Sequence, residues 1–376
     1  MRLATCIAAE IAVGVSLFIA VTGGAVWAIG LSRGEDDAGA GAVVGRGAAA
    51  ASDPARDAVE RTALVEARRA EAVARPAAAP AAEPAGARFA GKPDAELLAP
   101  LRDAAVARVK IGTCCTSLNM RIDFESGARA AFKPEQRNLG SMPRKEIAAY
   151  RVDRLLRLGA VAPAIGRRFL VADISSHITG GSEEDRARFE GEMLSHDGAI
   201  DGELTWWIPD LSKPKIDGVL IDTAEGVAAW QGYLALGRAA PAKHRALLAQ
   251  ISNVLLFDFI INNIDRWSGG NVLASKGGEV LYFMDNTMAF RPQPRGHAKV
   301  SAYLRRSQKF SRSLVDALRR LRIEDVRDAL DDDRGPFPYL LTETEMGALM
   351  ARRDAALRYI DGLIARGGEA AVLAFP

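Results

Sequence analysis

A stretch in the second half of the chain carries the side chains that phosphoryl transfer requires, in the order that kinases use. Asp265 and Arg266 follow an apolar segment, two glycines come soon after, and Asn271 opens a short apolar run. A second strand-like segment, residues 280–284, ends at Asp285. In a kinase one carboxylate orients or deprotonates the acceptor hydroxyl, while an amide oxygen and a second carboxylate hold the metal ions that bridge the nucleotide phosphates. An isolated Asp-Arg pair is typical of surface loops, but the ordered set predicts a nucleotide-phosphate site.

A long apolar helix is expected to deliver this stretch. Between Lys243 and Asn262 the apolar residues recur at helical spacing, at positions Leu247, Leu248, Ile251, Leu255 and Phe259. Asp258 lies inside this helix. Its carboxylate either accepts hydrogen bonds from the following loop or from Arg266, or it faces solvent.

Short alternating segments between residues 107 and 133 predict a set of antiparallel strands. The turn at Gly112 lies where a phosphate-covering loop would be expected, but it has one glycine and is also consistent with a plain hairpin turn. Lys133 ends an apolar strand, where a buried amine is costly unless it is paired. Its candidate partner is Glu146, in the first turn of a helix that Ser141 would cap, although a first-turn glutamate alone more often complements the helix dipole.

Four separated motifs resemble the secretory-pathway kinases of the four-jointed and Golgi casein-kinase family. In chain order they are Phe132-Lys133-Pro134, the helix from Glu146 to Leu156, Val161-Ala162-Pro163 with Gly166-Arg167, and the Asp258-to-Arg266 stretch with Met284-Asp285-Asn286. The resemblance covers roughly residues 105–376.

The resemblance implies an α+β, two-lobed atypical protein-kinase-like fold, ATP with Mg or Mn as cofactors, and a hydroxyl acceptor on a protein or a glycan. By carry-over, Lys133 would contact the phosphates and Glu146 would hold Lys133 or the metal. Gly112, at the phosphate-loop position, completes the predicted nucleotide-binding set. The loop is glycine-poor, and the disulfides common in animal members are missing, which departs from the family pattern.

The resemblance also implies the catalytic and metal-binding residues. Asp265 would be the catalytic base and Asp285 would ligate the metal, and Asn271 is added as a metal ligand on the spacing of other kinase-like sites. The sequence thus predicts an ATP-dependent kinase for Ser/Thr hydroxyls of exported or luminal proteins. A glycan kinase is the nearest alternative. A nucleotide-binding pseudokinase scaffold is the alternative from another class, but it would not need the base at Asp265.

The N-terminal quarter of the chain predicts a membrane tether. Residues 1–33 contain an apolar run, broken by Glu10, that is long enough to span a bilayer as a signal anchor or to act as a cleaved signal peptide. The charges on either side of the run predict that the body lies outside the cytosol. With an uncleaved anchor the protein would be a single-pass membrane protein, and with a cleaved signal peptide it would be secreted. Residues 34–96, rich in Ala, Gly and Pro, predict a disordered linker.

The remaining residues, 97–376, predict the kinase-like domain, divided into a smaller lobe at 97–172 and an insertion with the larger lobe at 173–376. The balance of 49 basic and 47 acidic residues argues against a nucleic-acid partner. Three cysteines make no disulfide framework, and the four histidines fall into no zinc-ligand spacing. The pair Trp206-Trp207 could clamp a ligand, although core packing is the more common role of such aromatics.

The tether generates a topology prediction. A reporter that is active only in the cytosol, fused after Pro376, is expected to be silent, because residues 1–33 direct the body across the membrane. The same fusion lacking residues 1–33 is the control and should be active. Activity of the full-length fusion in the cytosol would contradict export.

Overall fold

The computed structural model describes residues 87–376, apart from residues 114, 115 and 269. In this part the chain forms a smaller lobe built on a five-stranded antiparallel sheet and a larger, mainly helical lobe. The signal anchor or signal peptide predicted for residues 1–33, and most of the predicted linker, lie outside the described residues.

The smaller lobe consists of short strands with helices between them. In chain order they are β1 (Arg88–Phe89), β2 (Lys92–Pro93), α1 (Asp94–Asp103), β3 (Val106–Ile111), β4 (Met120–Phe124), β5 (Arg129–Pro134), α2 (Pro143–Leu155), β6 (Ala164–Leu170), α3 (Val171–Ser176), α4 (Glu183–Glu192) and β7 (Ala199–Trp206).

The sheet has the strand order β3-β4-β5-β7-β6. Its strand β7 lies inside the segment that was predicted as a polar insertion, so the division at residue 172 is too early and the smaller lobe extends to Trp206. The predicted start at Leu97 falls within α1, and Phe89 is already buried. The strand was not predicted because its alternation of apolar and polar residues is only eight residues long and lies within a polar segment.

The two faces of the sheet differ in character because successive side chains on a strand point to opposite sides. One face is apolar and buried, with Val109, Met120, Ile122, Phe132 and Leu204. The opposite face carries Lys133, whose Nζ contacts Asp285 of the larger lobe. The second face is therefore the one that faces the cleft between the lobes.

Helix α2 begins with Pro143 at its first turn, where proline's missing N–H costs nothing. Ser141 was predicted to cap it, but the N-cap residue is Met142, without a side-chain cap bond. Within the described residues the Ser141 hydroxyl is buried and has no hydrogen-bond partner. The helix is positioned instead by burial of nearly its whole first three turns, including Ile147 and Val152.

The larger lobe follows β7. Its elements are β8 (Lys215–Ile216), β9 (Val219–Leu220), α5 (Ala224–Leu234), a 3-10 turn (Ala242–His244), α6 (Arg245–Ile261), β10 (Val272–Ala274), β11 (Leu281–Phe283), α7 (Ala298–Leu304), α8 (Arg312–Arg320), α9 (Ile323–Asp331), α10 (Glu343–Gly367) and α11 (Glu369–Val372).

Helix α6 is the centre of this lobe and matches the predicted apolar helix. Among the described residues, one segment, Ala242–Ile261, would be long and apolar enough to cross a bilayer, and 61% of its most apolar window is buried inside the fold. This burial identifies the segment as part of the core of the larger lobe.

Helix α10 ties the two lobes together. A capping box begins this helix, since the Thr342 side chain accepts from the Glu345 N–H and the Glu345 carboxylate accepts from the Thr342 N–H. The same carboxylate forms ion pairs with Arg144 at 3.1 Å and Lys145 at 3.2 Å, at the start of α2. The position of α2, which carries Glu146, therefore depends on the C-terminal part of the chain.

Candidate active site

The loop that follows α6 is held by a buried ion pair. Asn262 ends the helix in the left-handed conformation, with a φ of 56°. Arg266 returns to the helix and places its Nη2 3.2 Å from Asp258 Oδ1, with the two side chains 1% and 3% exposed. Of the two possibilities for Asp258, the structure thus shows the pairing with Arg266. Burial raises the pKa of Asp258 to about 6, and the charge of Arg266 opposes this rise.

Arg266 also fixes the segment after β11. Its guanidinium donates to the Met284 carbonyl and, at 2.6 Å, to Asn286 Oδ1. Asn263 from the same loop donates to Asn286 Oδ1 at 3.1 Å and to the Asp285 carbonyl at 3.2 Å. The loop with Asp265 and the strand end with Asp285 are therefore connected through buried hydrogen bonds.

Asp285 stands in a strained backbone conformation between these bonds. Its φ is 55°, a region that few residues other than glycine, asparagine and aspartate adopt. Its carboxylate accepts from Lys133 Nζ at 2.6 Å and from the Thr287 hydroxyl at 3.0 Å. Burial raises the pKa of Asp285, but the charge and hydrogen bond of Lys133 lower it by more, so the pKa lies below its ordinary value.

Lys133 lies among three carboxylates. Burial lowers its pKa, but the charges of Asp285, Glu146 and Glu203 outweigh burial and hold the pKa above its ordinary range. The direct ion pair is with Asp285, whereas the predicted partner, Glu146, accepts hydrogen bonds from the Asn286 N–H at 2.5 Å and from Asn286 Nδ2 at 2.8 Å. Glu146 acts on Lys133 as a neighbouring charge.

Glu203 is the site residue that the sequence analysis missed. It lies opposite Lys133 in the β5–β7 register, is 1% exposed, and accepts from the Thr205 hydroxyl at 2.7 Å. Burial, followed by the charge of Glu146, raises its pKa well above the ordinary value. Recognising it required the register of β7 against β5, which a single sequence does not provide.

Asp265 and Asn271 contact each other. Asn271 Nδ2 donates to Asp265 Oδ2 at 2.8 Å and to its carbonyl at 3.2 Å, and the Asp265 N–H donates to Asn263 Oδ1 at 3.0 Å. Asp265 is half-buried, and the hydrogen bond from Asn271 holds its carboxylate in place. The structure thus brings Asn271 to Asp265 rather than to Asp285, and metal binding by Asn271 stays a prediction.

Gly112 lies directly after β3, at the cleft end of the sheet. Its N–H donates to the Asn119 carbonyl at 2.8 Å. A Cβ at this position would lie 1.9 Å from Asn119 Oδ1, so a larger residue here would displace the Asn119 side chain. Nucleotide binding by Gly112 stays a prediction.

The charges at the site suit a divalent cation. Two buried carboxyl groups, those of Glu146 and Glu203, and the partly exposed carboxyl group of Asp285 lie around Lys133. Within the described residues, no group of three or more His, Cys, Asp or Glu side chains has the arrangement of a complete metal site. Such an ion would share one or two carboxylates with phosphate oxygens, which is how Mg²⁺ is usually bound in nucleotide sites.

Together these features define a protein-kinase-like fold. The strand lysine lies in the third strand of the small-lobe sheet, a helix with a buried glutamate follows it, and the two acidic residues Asp265 and Asp285 come from the larger lobe.

Comparisons with solved structures agree with this class. No family model matches the chain, and no curated protein matches it. The chain is similar to the crystal structure of the Golgi casein kinase, with 16% identity and a TM-score of 0.59, covering 74% of this chain and 79% of that one. A structure of the Golgi casein kinase with Mn and ADP bound is 15% identical, with a TM-score of 0.58, and the match covers 74% of this chain and 78% of that one. The structure of a hydra Fam20 protein with sugar is 14% identical, with a TM-score of 0.56, and the match covers 73% of this chain and 90% of that one. The expected resemblance is confirmed at the level of the fold.

The position of Lys133 gives a first prediction. Lys133→Met is expected to lower kcat/KM for the nucleotide by about 100-fold, because it removes the buried positive charge at the predicted phosphate site. Steady-state kinetics at fixed acceptor concentration measures this effect, with thermal unfolding to verify the fold. Lys276→Met, at a side chain that is 83% exposed, is the matched control. A stable Lys133→Met protein with wild-type kinetics would show that Lys133 does not anchor the phosphates.

The buried ion pair between Arg266 and Asp258 gives a second prediction. Arg266→Met is expected to lower the free energy of unfolding by about 3–5 kcal/mol, because it leaves the Asp258 carboxylate buried without its partner. Urea unfolding measures the change. Arg305→Met, at an exposed position, should stay within about 0.5 kcal/mol of wild type. Equal stability of the two variants would contradict the structural role of Arg266.

Proposed function

We propose that this protein is an ATP-dependent phosphotransferase that uses Mg or Mn and an alcohol group as acceptor. The observation that carries the proposal is the 2.6 Å ion pair between Lys133 of the smaller lobe and Asp285 of the larger lobe. A lysine and a metal-binding aspartate meeting across a cleft is the arrangement that kinases use to hold nucleotide phosphates.

The residues of the candidate site have separate roles in this proposal. Lys133 binds a phosphate oxygen, while Glu146 and Glu203 keep it charged and in place. Asp265 accepts a hydrogen bond from the acceptor hydroxyl and orients it for attack, and Asn271 fixes the Asp265 carboxylate through its Nδ2.

Asp285 and Glu146 are the residues that would hold the metal. Bound there, a divalent ion supplies positive charge against the phosphate oxygens. The structural neighbour with Mn and ADP bound supports this choice of cofactors. The Asn286 N–H and side chain hold Glu146 in a fixed orientation.

The acceptor is proposed to be a Ser/Thr hydroxyl of an exported or luminal protein. The name of one structural neighbour, a casein kinase, supports a protein acceptor. The other neighbour contains a sugar, which supports a glycan hydroxyl as the second candidate. Export through residues 1–33, as a membrane anchor or a cleaved signal peptide, belongs to the same proposal, as does the absence of a nucleic-acid partner.

Two acidic residues separate an enzyme from a nucleotide-binding scaffold. Asp285→Asn is expected to abolish the thermal shift given by ATP with Mg or Mn, because the metal ion that accompanies the phosphates loses a protein ligand. Asp265→Asn should keep the shift but lower turnover by about 100-fold or more, because binding does not need the base. At about 100 times the dissociation constant, a ligand stabilises the wild-type fold by roughly 2.7 kcal/mol, which is measurable.

The control is Asp210→Asn, at an exposed side chain of the same type. Radiolabel transfer from ATP to a mixed panel of proteins and glycans gives the acceptor class. Nucleotide binding without transfer or hydrolysis, together with full cellular function of Asp265→Asn, would favour the pseudokinase alternative. Absence of any metal-dependent nucleotide binding in wild type would refute both.

A further inference from the structure

The loop between β3 and β4 returns to the sheet beside Lys133. The last paired residues of β4 and β5 are Met120 and Phe132, so the chain that enters β4 runs next to Lys133 and to Pro134, which follows it. We call residues 116–119 the loop return. Its importance for nucleotide binding rests on the proposed function, in which the phosphates bind at Lys133.

The loop return contains no glycine, and a side chain from another part of the sequence holds its backbone. Gln136 lies three residues after Lys133 and is 4% exposed. Its Oε1 accepts a hydrogen bond from the Leu118 N–H at 2.8 Å, and its Nε2 donates to the Leu118 carbonyl at 3.0 Å. One amide side chain therefore supplies the acceptor and the donor that a neighbouring strand would otherwise supply.

Pro134 explains why a side chain is needed at this point. Continued by two residues, the β4–β5 register sets Leu118 opposite Pro134, and proline has no N–H to donate. The Gln136 Nε2 also donates to the Pro134 carbonyl at 3.2 Å. Leu118 is fully buried, so its N–H and carbonyl lose their partners and stay shielded from water if the amide of Gln136 is removed. The loop return would then have to shift to pair these groups.

A second contact holds the loop return from the side of α4. Arg188 Nη2 donates to the Thr116 carbonyl at 2.9 Å, and Arg188 Nε donates to Glu192 Oε1 at 2.9 Å, which fixes the guanidinium. The end of α4 is attached to the segment after β5, because Arg137 donates to the carbonyls of Gly191 and Glu192 at 2.9 and 2.8 Å. The loop return is thus held by two elements that do not belong to its own hairpin.

We propose that Gln136 is a positioning residue for nucleotide binding, and that Arg188 supports it. Both side chains act through the backbone of the loop return, which they keep in one position beside Lys133 before the nucleotide arrives. The apparent affinity for a ligand falls in proportion to the fraction of the protein that is in the binding-competent state. Loss of either contact therefore weakens phosphate binding, while the number of binding sites per chain stays the same.

Calorimetric titration of the full chain with ATP and Mg tests the proposal. Gln136→Met keeps the length of the side chain and removes both hydrogen-bonding groups, so it is expected to raise the dissociation constant about tenfold. Titration with Mg and inorganic tripolyphosphate should show the same factor, because the loop return lies beside the proposed phosphate site. A variant that is only partly folded would instead show fewer binding sites with an unchanged dissociation constant.

Arg188→Gln is the second variant. The Arg188 side chain is partly exposed on α4, so its replacement leaves the core intact, and we expect the dissociation constant for ATP to rise about threefold. Arg186→Gln, at an exposed position of the same helix, and Gln231→Met, at an exposed position of α5, are the matched controls. Both should keep the wild-type dissociation constant.

Hydrogen exchange without nucleotide measures the position of the loop return directly. In Gln136→Met the backbone amides of residues 116–119 should exchange about tenfold faster than in wild type, because the Leu118 N–H has lost its acceptor. The amides of α6, in the larger lobe, should keep their wild-type rates. Unchanged exchange in the loop return would contradict its dependence on Gln136.

The outcomes separate the two proposals. A wild-type dissociation constant for ATP in both Gln136→Met and Arg188→Gln overturns the positioning role and leaves the phosphotransferase proposal standing. Fewer sites with an unchanged dissociation constant assign Gln136 to fold stability alone and overturn it as well. If Gln136→Met does not fold, the affinity of Arg188→Gln decides. Absence of Mg-dependent binding of ATP and tripolyphosphate by wild type overturns both proposals.

Discussion

The buried guanidinium of Arg266 is the interaction on which the rest of the site depends. It neutralises Asp258 inside the helix core, holds the Met284 carbonyl at the end of β11, and binds the Asn286 side chain. Removing a partner from a buried pair costs far more than the pair contributes when intact. The backbone of Asp285, at a φ of 55°, is strained and persists because its neighbours on both sides are fixed by these bonds. Arg266 thus supports Asp285 without facing the cleft.

A second constraint comes from the charges around Lys133. Three carboxyl groups close to one ammonium group leave an excess of negative charge in a buried place, which is unfavourable unless a cation or a shared proton compensates. The raised pKa values of Glu146 and Glu203 express that cost. The arrangement is stable because other parts of the chain hold it, notably Glu345 of α10, which fixes the first turn of α2 through Arg144 and Lys145. The geometry around Lys133 is therefore maintained by contacts far away in sequence.

The sequence predicted the parts of this site that local patterns encode. The apolar helix before Asp265 and the strand that carries Lys133 both depend on neighbouring residues, and the structure has each of them. The carboxylates Asp265 and Asp285 could be recognised because a loop and a strand end place them at fixed spacing. The metal, nucleotide and catalytic roles of these residues remain predictions.

Long-range pairings could not be predicted in the same way. The partner of Lys133 is Asp285 rather than Glu146, because the orientation of the two lobes decides which carboxylate lies within 2.6 Å. Glu203 was hidden because its strand was taken for an insertion. Ser141 failed as a cap because burial of α2 positions the helix without a side-chain cap bond. In each case a contact between distant elements prevailed over a local preference.

The cleft face of the small-lobe sheet has two ends with different chemistry. At one end, Lys133 is a single cation among the carboxyl groups of Asp285, Glu146 and Glu203. At the other end, Asp123 is a single carboxylate among arginines, and the pKa of its carboxyl group lies below the ordinary value because Arg108 and Arg121 outweigh the effect of burial. Charged side chains are rarely kept on a half-buried face unless they are paired or bind a ligand. Arg121 and Lys133 lie on the same face, because Arg121 pairs with Ala131, two residues before Lys133. The surplus charge on this face therefore changes sign along the sheet, from negative around Lys133 to positive around Asp123, and each minority charge is stabilised by neighbours of opposite sign.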